Sequence, residues 1–173
     1  MRIPTSIRIL AAAGLVAATA IPFAPVRVAA QGPVTNLAVY ASVVANCTIT
    51  ATTIGFGSYD PVTAHATANL DAQGSLTVAC TKGVNPSVGL DNGTNGTGES
   101  VRRLAGNGSY LTYELYKEEA RTNAWRNLGS GLLSLGTAPS KSPRTFPVFA
   151  RLPGGQDVPP GTYTDTIVAT VNF

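Results

Sequence analysis

Histidine occurs once in these 173 residues, cysteine twice and tryptophan once, and charged residues make up only 12% of the chain. Each scarcity excludes something. The lone histidine, His65, lies in the polar stretch "VTAHATA", which reads as a solvated loop, and no serine sits in a Gly-x-Ser-x-Gly elbow. Two cysteines without an accompanying His/Asp/Glu cluster do not make a metal ligand set. Gly93, Gly96 and Gly98 in "GTNGTG" are followed by no Lys-Ser/Thr pair, so they read as turn residues and not as a phosphate cradle. Glu118 and Glu119 are adjacent and would face opposite sides of a strand, a poor acid/base pair. The reading is therefore a non-enzymatic chain with no catalytic, cofactor-binding or metal residue. Helical periodicity is also missing, since the one candidate, "EEARTNAWR", is short and mostly polar.

Long apolar runs are absent except at the start. "MRIPTSIRILAAAGLVAATAIPFAPVRVAAQ" carries Arg2 and Arg8, an apolar run from Ile9 to about Phe23, and the small-residue end Val28-Ala29-Ala30. This is the pattern of a secretory signal peptide over residues 1–30, cleaved after Ala30. The run falls short of the ~20 residues that a spanning helix needs, so no membrane insertion of the mature chain is expected. Removing Arg2, Arg8 and Arg27 takes the basic residues from 12 to 9, equal to the 9 acidic ones. The mature chain then has no electrostatic footprint for nucleic acid, and its low net charge tolerates close self-association. It has 143 of the 173 residues, enough for one domain.

What is present is strand. "CTIT" after Cys47, "GSLTVACT" at 74–81, "SVGLDNG" at 87–93, "YLTYELYKE" at 110–118, "RTFPVFARLP" at 144–153 and "TYTDTIVATVNF" at the end are separated by Gly, Pro, Asn and Asp clusters. Such spacing reads as an all-β sandwich. "DNGTNGTGES" at 91–100 reads as a flexible loop or hairpin tip, and Arg102-Arg103 as a solvated or packing face. In an exported chain Cys47 and Cys80 read as one disulfide closing 33 residues, a closure worth roughly 3–4 kcal/mol by chain entropy.

Two stretches have one apolar face each. In the last strand Tyr163, Asp165, Ile167, Ala169, Val171 and Phe173 share one parity; in "TNLAVYASVVANC", Leu37, Val39, Ala41 and Val43 share another. A core-facing last strand with nothing after it to cover its far edge, and a spare strand near the start, are complementary. The expectation is that the spare strand of one molecule would complete the sheet of the next.

The motifs "NCTIT", "FGSYDP", "GSLTVACTKG", "GLDNG", "RRLAGNGSYLTYELY" and "VFARLPGGQDVPPGTYTDTIVATVNF" follow one another as in the spore coat protein U domain, which includes the major pilins of archaic chaperone–usher pili. The resemblance runs from about residue 45 to the end. It implies an incomplete immunoglobulin-like β-sandwich lacking its last strand and completed by donor-strand exchange. A periplasmic chaperone would fill the groove first, and at an outer-membrane usher the N-terminal extension of the neighbouring pilin would replace it, giving a homo-polymer at the cell surface. Placed on this sequence, residues 31–44 are the donor extension, with Leu37, Val39, Ala41 and Val43 inserting. Residues 45–173 are the pilin domain, with Tyr163, Ile167, Ala169, Val171 and Phe173 edging the acceptor groove by β-augmentation.

The functional expectation is a structural subunit of an extracellular fibre that supports adhesion or biofilm formation. Its rivals are a secreted coat or matrix protein that packs as a closed dimer or folds alone, and a carbohydrate-binding adhesin or hydrolase. Tyr110, Tyr113, Tyr116 and Trp125 would have to supply the sugar platform of the last, whereas strand-spaced tyrosines read as core or sheet surface.

Overall fold

Strict alternation over "LDAQGSLTVAC" makes the longest strand of the fold, β2 (Leu70–Cys80), with Leu76, Val78 and Cys80 inward and Ser75, Thr77 and Ala79 outward. Its partner β7 (Arg144–Leu152) alternates in step, and Leu76 stands opposite Phe146 and Gly74 opposite Val148. The computed structural model containing them describes residues 25, 27, 30–98 and 100–173. Two units divide the chain, Met1–Tyr40 and Ala41–Phe173. In the first, residues 30–40 are exposed and carry no strand, and most of the expected signal peptide, residues 1–30, lies outside the described residues.

The second unit is all-β. β1 (Cys47–Ala51), β2, β7, β5 (Ser109–Tyr116) and β4 (Arg102–Gly106) form one antiparallel sheet in that order, and β6 (Leu133–Ser134), β3 (Ser87–Leu90) and β8 (Ala169–Asn172) form a second. Their facing sides enclose a core of Leu76, Val78, Val88, Leu115, Trp125 and Val148. Cys47 stands opposite Cys80 in the β1–β2 ladder and is bonded to it, so the disulfide ties the first strand to its neighbour. β4 and β5 are joined at Asn107-Gly108, whose φ angles of 52° and 73° are the left-handed pair that a two-residue hairpin turn requires.

Three expectations are corrected. Residues 36–43 form no strand, because within the described chain nothing pairs with them. Regular strand in the C-terminal stretch is confined to β8; residues 163–168 are held piecewise, by Ala105 of β4 and by the 91–94 turn, instead of by one partner strand. The short, polar "EEARTNAWR" carries no helix, in keeping with its missing periodicity. Glu118 accepts hydrogen bonds from the backbone N–H groups of Thr122 and Asn123 and closes a turn, and Trp125 then enters the core, fully buried, donating from its indole to the Val88 carbonyl at 2.8 Å. Residues 91–97 are a pinned turn and not a loose tip, since Arg103 donates to the Asn95 carbonyl at 2.9 Å and Asn95 bonds Asp165.

Arg102, at the start of β4, is completely buried. Its guanidinium donates to the carbonyls of Asp91 (2.8 Å), Leu90 (2.9 Å) and Trp125 (2.7 Å) and to the Glu114 carboxylate, which also pairs with Arg126. Burial lowers its pKa, and the adjacent Glu114 offsets part of that. A charge inside the sandwich is tolerated because these donors meet acceptors on every side.

Candidate functional site

β1 and β8 are edge strands of different sheets and flank the same side of the sandwich. They approach one another, but among the described residues no ladder joins them. Where β1 ends, the chain runs on through residues 53–59 without strand pairing and crosses the inner face of β2. Ile54 lies so close over Gly74 that a Cβ there would stand 2.5 Å from its Cγ1. Opposite runs the segment 157–169. Between these walls lies an open groove made of two adjoining cavities. The first, about 360 Å³, lies between residues 51–54 and residues 165–169, over Leu76, Leu115 and Val148. The second, about 860 Å³, lies between residues 53–62 and 157–165, over Leu111 and Leu152. The groove therefore opens straight onto side chains of the hydrophobic core.

The backbone of the 163–173 wall faces two ways. Thr164 exchanges both hydrogen bonds with Ala105 (2.8 and 3.0 Å), the Thr166 carbonyl accepts from Thr94 (3.0 Å), and Val168 accepts from the Asp91 N–H (3.1 Å) and donates to its carboxylate (2.9 Å). All of these are even-numbered residues. In extended chain, alternate residues direct N–H and C=O to opposite edges, so the odd-numbered residues present theirs to the groove. The odd side chains also point inward. Tyr163, Ile167, Ala169 and Val171 are half-buried, the last three against the core cluster, and Phe173 is 59% exposed. This wall thus offers an open sheet edge together with incompletely covered apolar side chains, the combination that natural sheets otherwise avoid.

Sequence reasoning overlooked one residue of the groove, Asp165, the single acid among the inward positions of this wall. Its Oδ2 accepts from the Tyr113 hydroxyl at 2.8 Å, and its Oδ1 accepts from the Asn95 backbone N–H (3.0 Å) and side-chain amide (3.1 Å). Position 93 must be glycine beneath it, because a Cβ there would stand 2.0 Å from Oδ2 and the backbone φ is +79°. Burial, then the hydrogen bond to Asp165, raise the Tyr113 pKa far above that of a free phenol, so the hydroxyl remains a donor. The signal was visible in the strand alternation, as the one polar break in an apolar parity.

The second cavity has a latched wall. The Tyr59 hydroxyl donates to the Pro153 carbonyl (3.1 Å) and accepts from the Gln156 N–H (2.9 Å), and the His65 ring stacks on Tyr59 with centroids 5.1 Å apart. His65 is half-buried in this latch, its Nδ1 accepting from the Asp60 N–H at 3.0 Å, and not a free loop residue. The expected donor residues are exposed: Leu37 87%, Val39 87%, Val43 86%, with Ala41 also open. Tyr113 and Trp125 are core, Tyr116 is half-buried and only Tyr110 is largely open, with Arg103 stacked 4.1 Å over its ring, so the four form no common platform. Among the described residues no three His, Cys, Asp or Glu side chains gather as for a metal ion, and no helix is long and apolar enough to cross a membrane.

The fold resembles a chain in the crystal structure of the CsuC–CsuE chaperone–tip adhesion subunit pre-assembly complex from archaic chaperone-usher Csu pili of Acinetobacter baumannii, with a TM-score of 0.56 at 23% identity over 76% of this chain and 40% of that one. By sequence it is 36% identical to Protein U of Myxococcus xanthus across 97% of this chain and 99% of that protein. Residues 34–170 match the Spore Coat Protein U domain, a span that takes in the exposed apolar stretch as well as the sandwich, and the chain belongs to that family.

Proposed function

We propose that this chain is an exported structural subunit of an extracellular fibre of the archaic chaperone–usher kind, in which function resides in polymerisation. The groove of one subunit takes residues 34–44 of the next, a periplasmic chaperone occupies it beforehand, and an outer-membrane usher is where the exchange takes place; the fibre serves surface adhesion or biofilm formation. The observation that carries this reading is the coexistence in one chain of an open groove over the core and an exposed, alternating apolar segment of matching length. Each is an aggregation liability by itself, and together they satisfy one another.

Donor and groove are separate parts of the chain, so their variants separate. Leu37→Asp with Val39→Asp abolishes fibres in electron micrographs of secreted material and leaves the subunit–chaperone complex intact on co-purification. Ile167→Asp or Val171→Asp removes both. Identical behaviour of the two classes overturns the assignment. A second reading, a coat or matrix protein that assembles without fibres, draws on the full-length likeness to Protein U and predicts discrete particles in the same micrographs.

A further inference from the structure

The groove has a junction. Its two cavities share Thr53, Ile54, Phe56, Leu104 and Asp165, so one acid stands at the junction between the two compartments. That carboxylate cannot swing away, since three hydrogen bonds hold it. Pressing a branched aliphatic side chain on it would strip its remaining water without replacement, an unfavourable burial of charge. The donor stretch has one small residue on its apolar parity, Ala41, flanked by Val39 and Val43.

Resting on the reading that residues 34–44 are the donor, we infer that the strand of a second copy enters antiparallel to 163–173 with Ala41 opposite Asp165. This register puts Val39 opposite Ile167, Leu37 opposite Ala169 and Val43 opposite Tyr163, so that the largest donor side chain meets the smallest wall residue. A shift of two residues either way sets Val39 or Val43 on the carboxylate, and a shift of one turns the apolar face outward. Asp165 is thus the register-determining residue of the groove.

The same geometry excludes the subunit's own extension in this orientation. The walls run in opposite directions, residues 51–54 lying level with 165–169 and residues 53–62 with 157–165. Cys47 therefore lies beyond the Ala169 end, about ten extended residues or ~33 Å from the level of Tyr163. Val43 placed there has four residue steps in which to reach Cys47, at most about 14 Å. The occupant comes from another molecule.

The test is cysteine trapping in full chains secreted with their assembly machinery. Opposed residues in a hydrogen-bonded antiparallel pair have Cα atoms about 5.5 Å apart, within disulfide range. Val39→Cys with Ile167→Cys, and Leu37→Cys with Ala169→Cys, are expected to give a reducible ladder of covalent oligomers, while Val39→Cys with Ala169→Cys gives none. A ladder from the last pair instead overturns the register and leaves the donor reading standing. No ladder from any pair, with no fibres from the parent chain, overturns both. Because residue 41 is exposed and belongs to no strand, Ala41→Leu leaves the subunit folded; it is expected to cut assembly at least tenfold, with Asp165→Ala in the acceptor restoring it. Unimpaired assembly of Ala41→Leu overturns the register-determining role of Asp165.

Discussion

Arg102 shows how far a single residue can depart from what its type suggests. Arg102-Arg103 reads as a solvated or packing face, and Arg102 goes further than either, being fully buried and collecting three main-chain carbonyls and one carboxylate. Arg102→Leu would leave those carbonyls without donors, and the predicted loss is about 3–5 kcal/mol. Equilibrium denaturation of the folded subunit measures it, and a loss below about 1 kcal/mol would mean that water replaces the guanidinium. Nothing in the sequence distinguishes Arg102 from Arg103, whose side chain stacks on Tyr110. The difference is that β4 pairs with β5 so as to bring position 102 opposite buried Tyr113, and pairing is a long-range fact. Trp125, which the sequence offers only as part of a sugar platform, is core for a related reason, its neighbours being polar because they close a turn around it. Asp165 could have been found, since it interrupts an apolar alternation that was otherwise followed correctly.

Among the elements, those whose pattern is local were legible: β2, β3, β5 and β7 follow their apolar alternation, and the inward parity of 163–171 holds along the wall. Elements defined by a partner were not. β4 has little alternation of its own, and the wall changes partners midway. The latch at residues 59–65 is of this second kind, and its single acid reports on it. Asp60 accepts from the Thr63 hydroxyl and from the backbone N–H groups of Val62 and Thr63, which hold its pKa down from 3.8 to about 2. A carboxylate with a depressed folded-state pKa contributes stability that is complete above its unfolded value and lost as pH falls through the folded one. The stability advantage of the parent chain over Asp60→Asn is therefore predicted to be constant above about pH 5 and to close between about pH 4 and 2. Denaturant midpoints of both proteins across that range check it, and an advantage unchanged at pH 2 would contradict the latch.

For the whole molecule, on the proposed function, the sandwich with its open groove and the exposed 34–44 stretch make a subunit whose fold another copy would finish. The measurement that tests this most directly removes the second molecule. Residues 34–44 are deleted from the front and appended after Phe173 through a flexible linker of about six Gly, Asn and Ser residues, which leaves the register free. The linked strand has an effective concentration on the order of millimolar, and Leu37, Val39 and Val43 each contribute roughly 1–3 kcal/mol on burial. The account predicts a soluble monomer that needs no chaperone and melts on the order of 10 °C above the donor-deleted subunit. A fused protein that melts no higher than the donor-deleted subunit would show that the sandwich was already complete and that the groove is not a place for a strand.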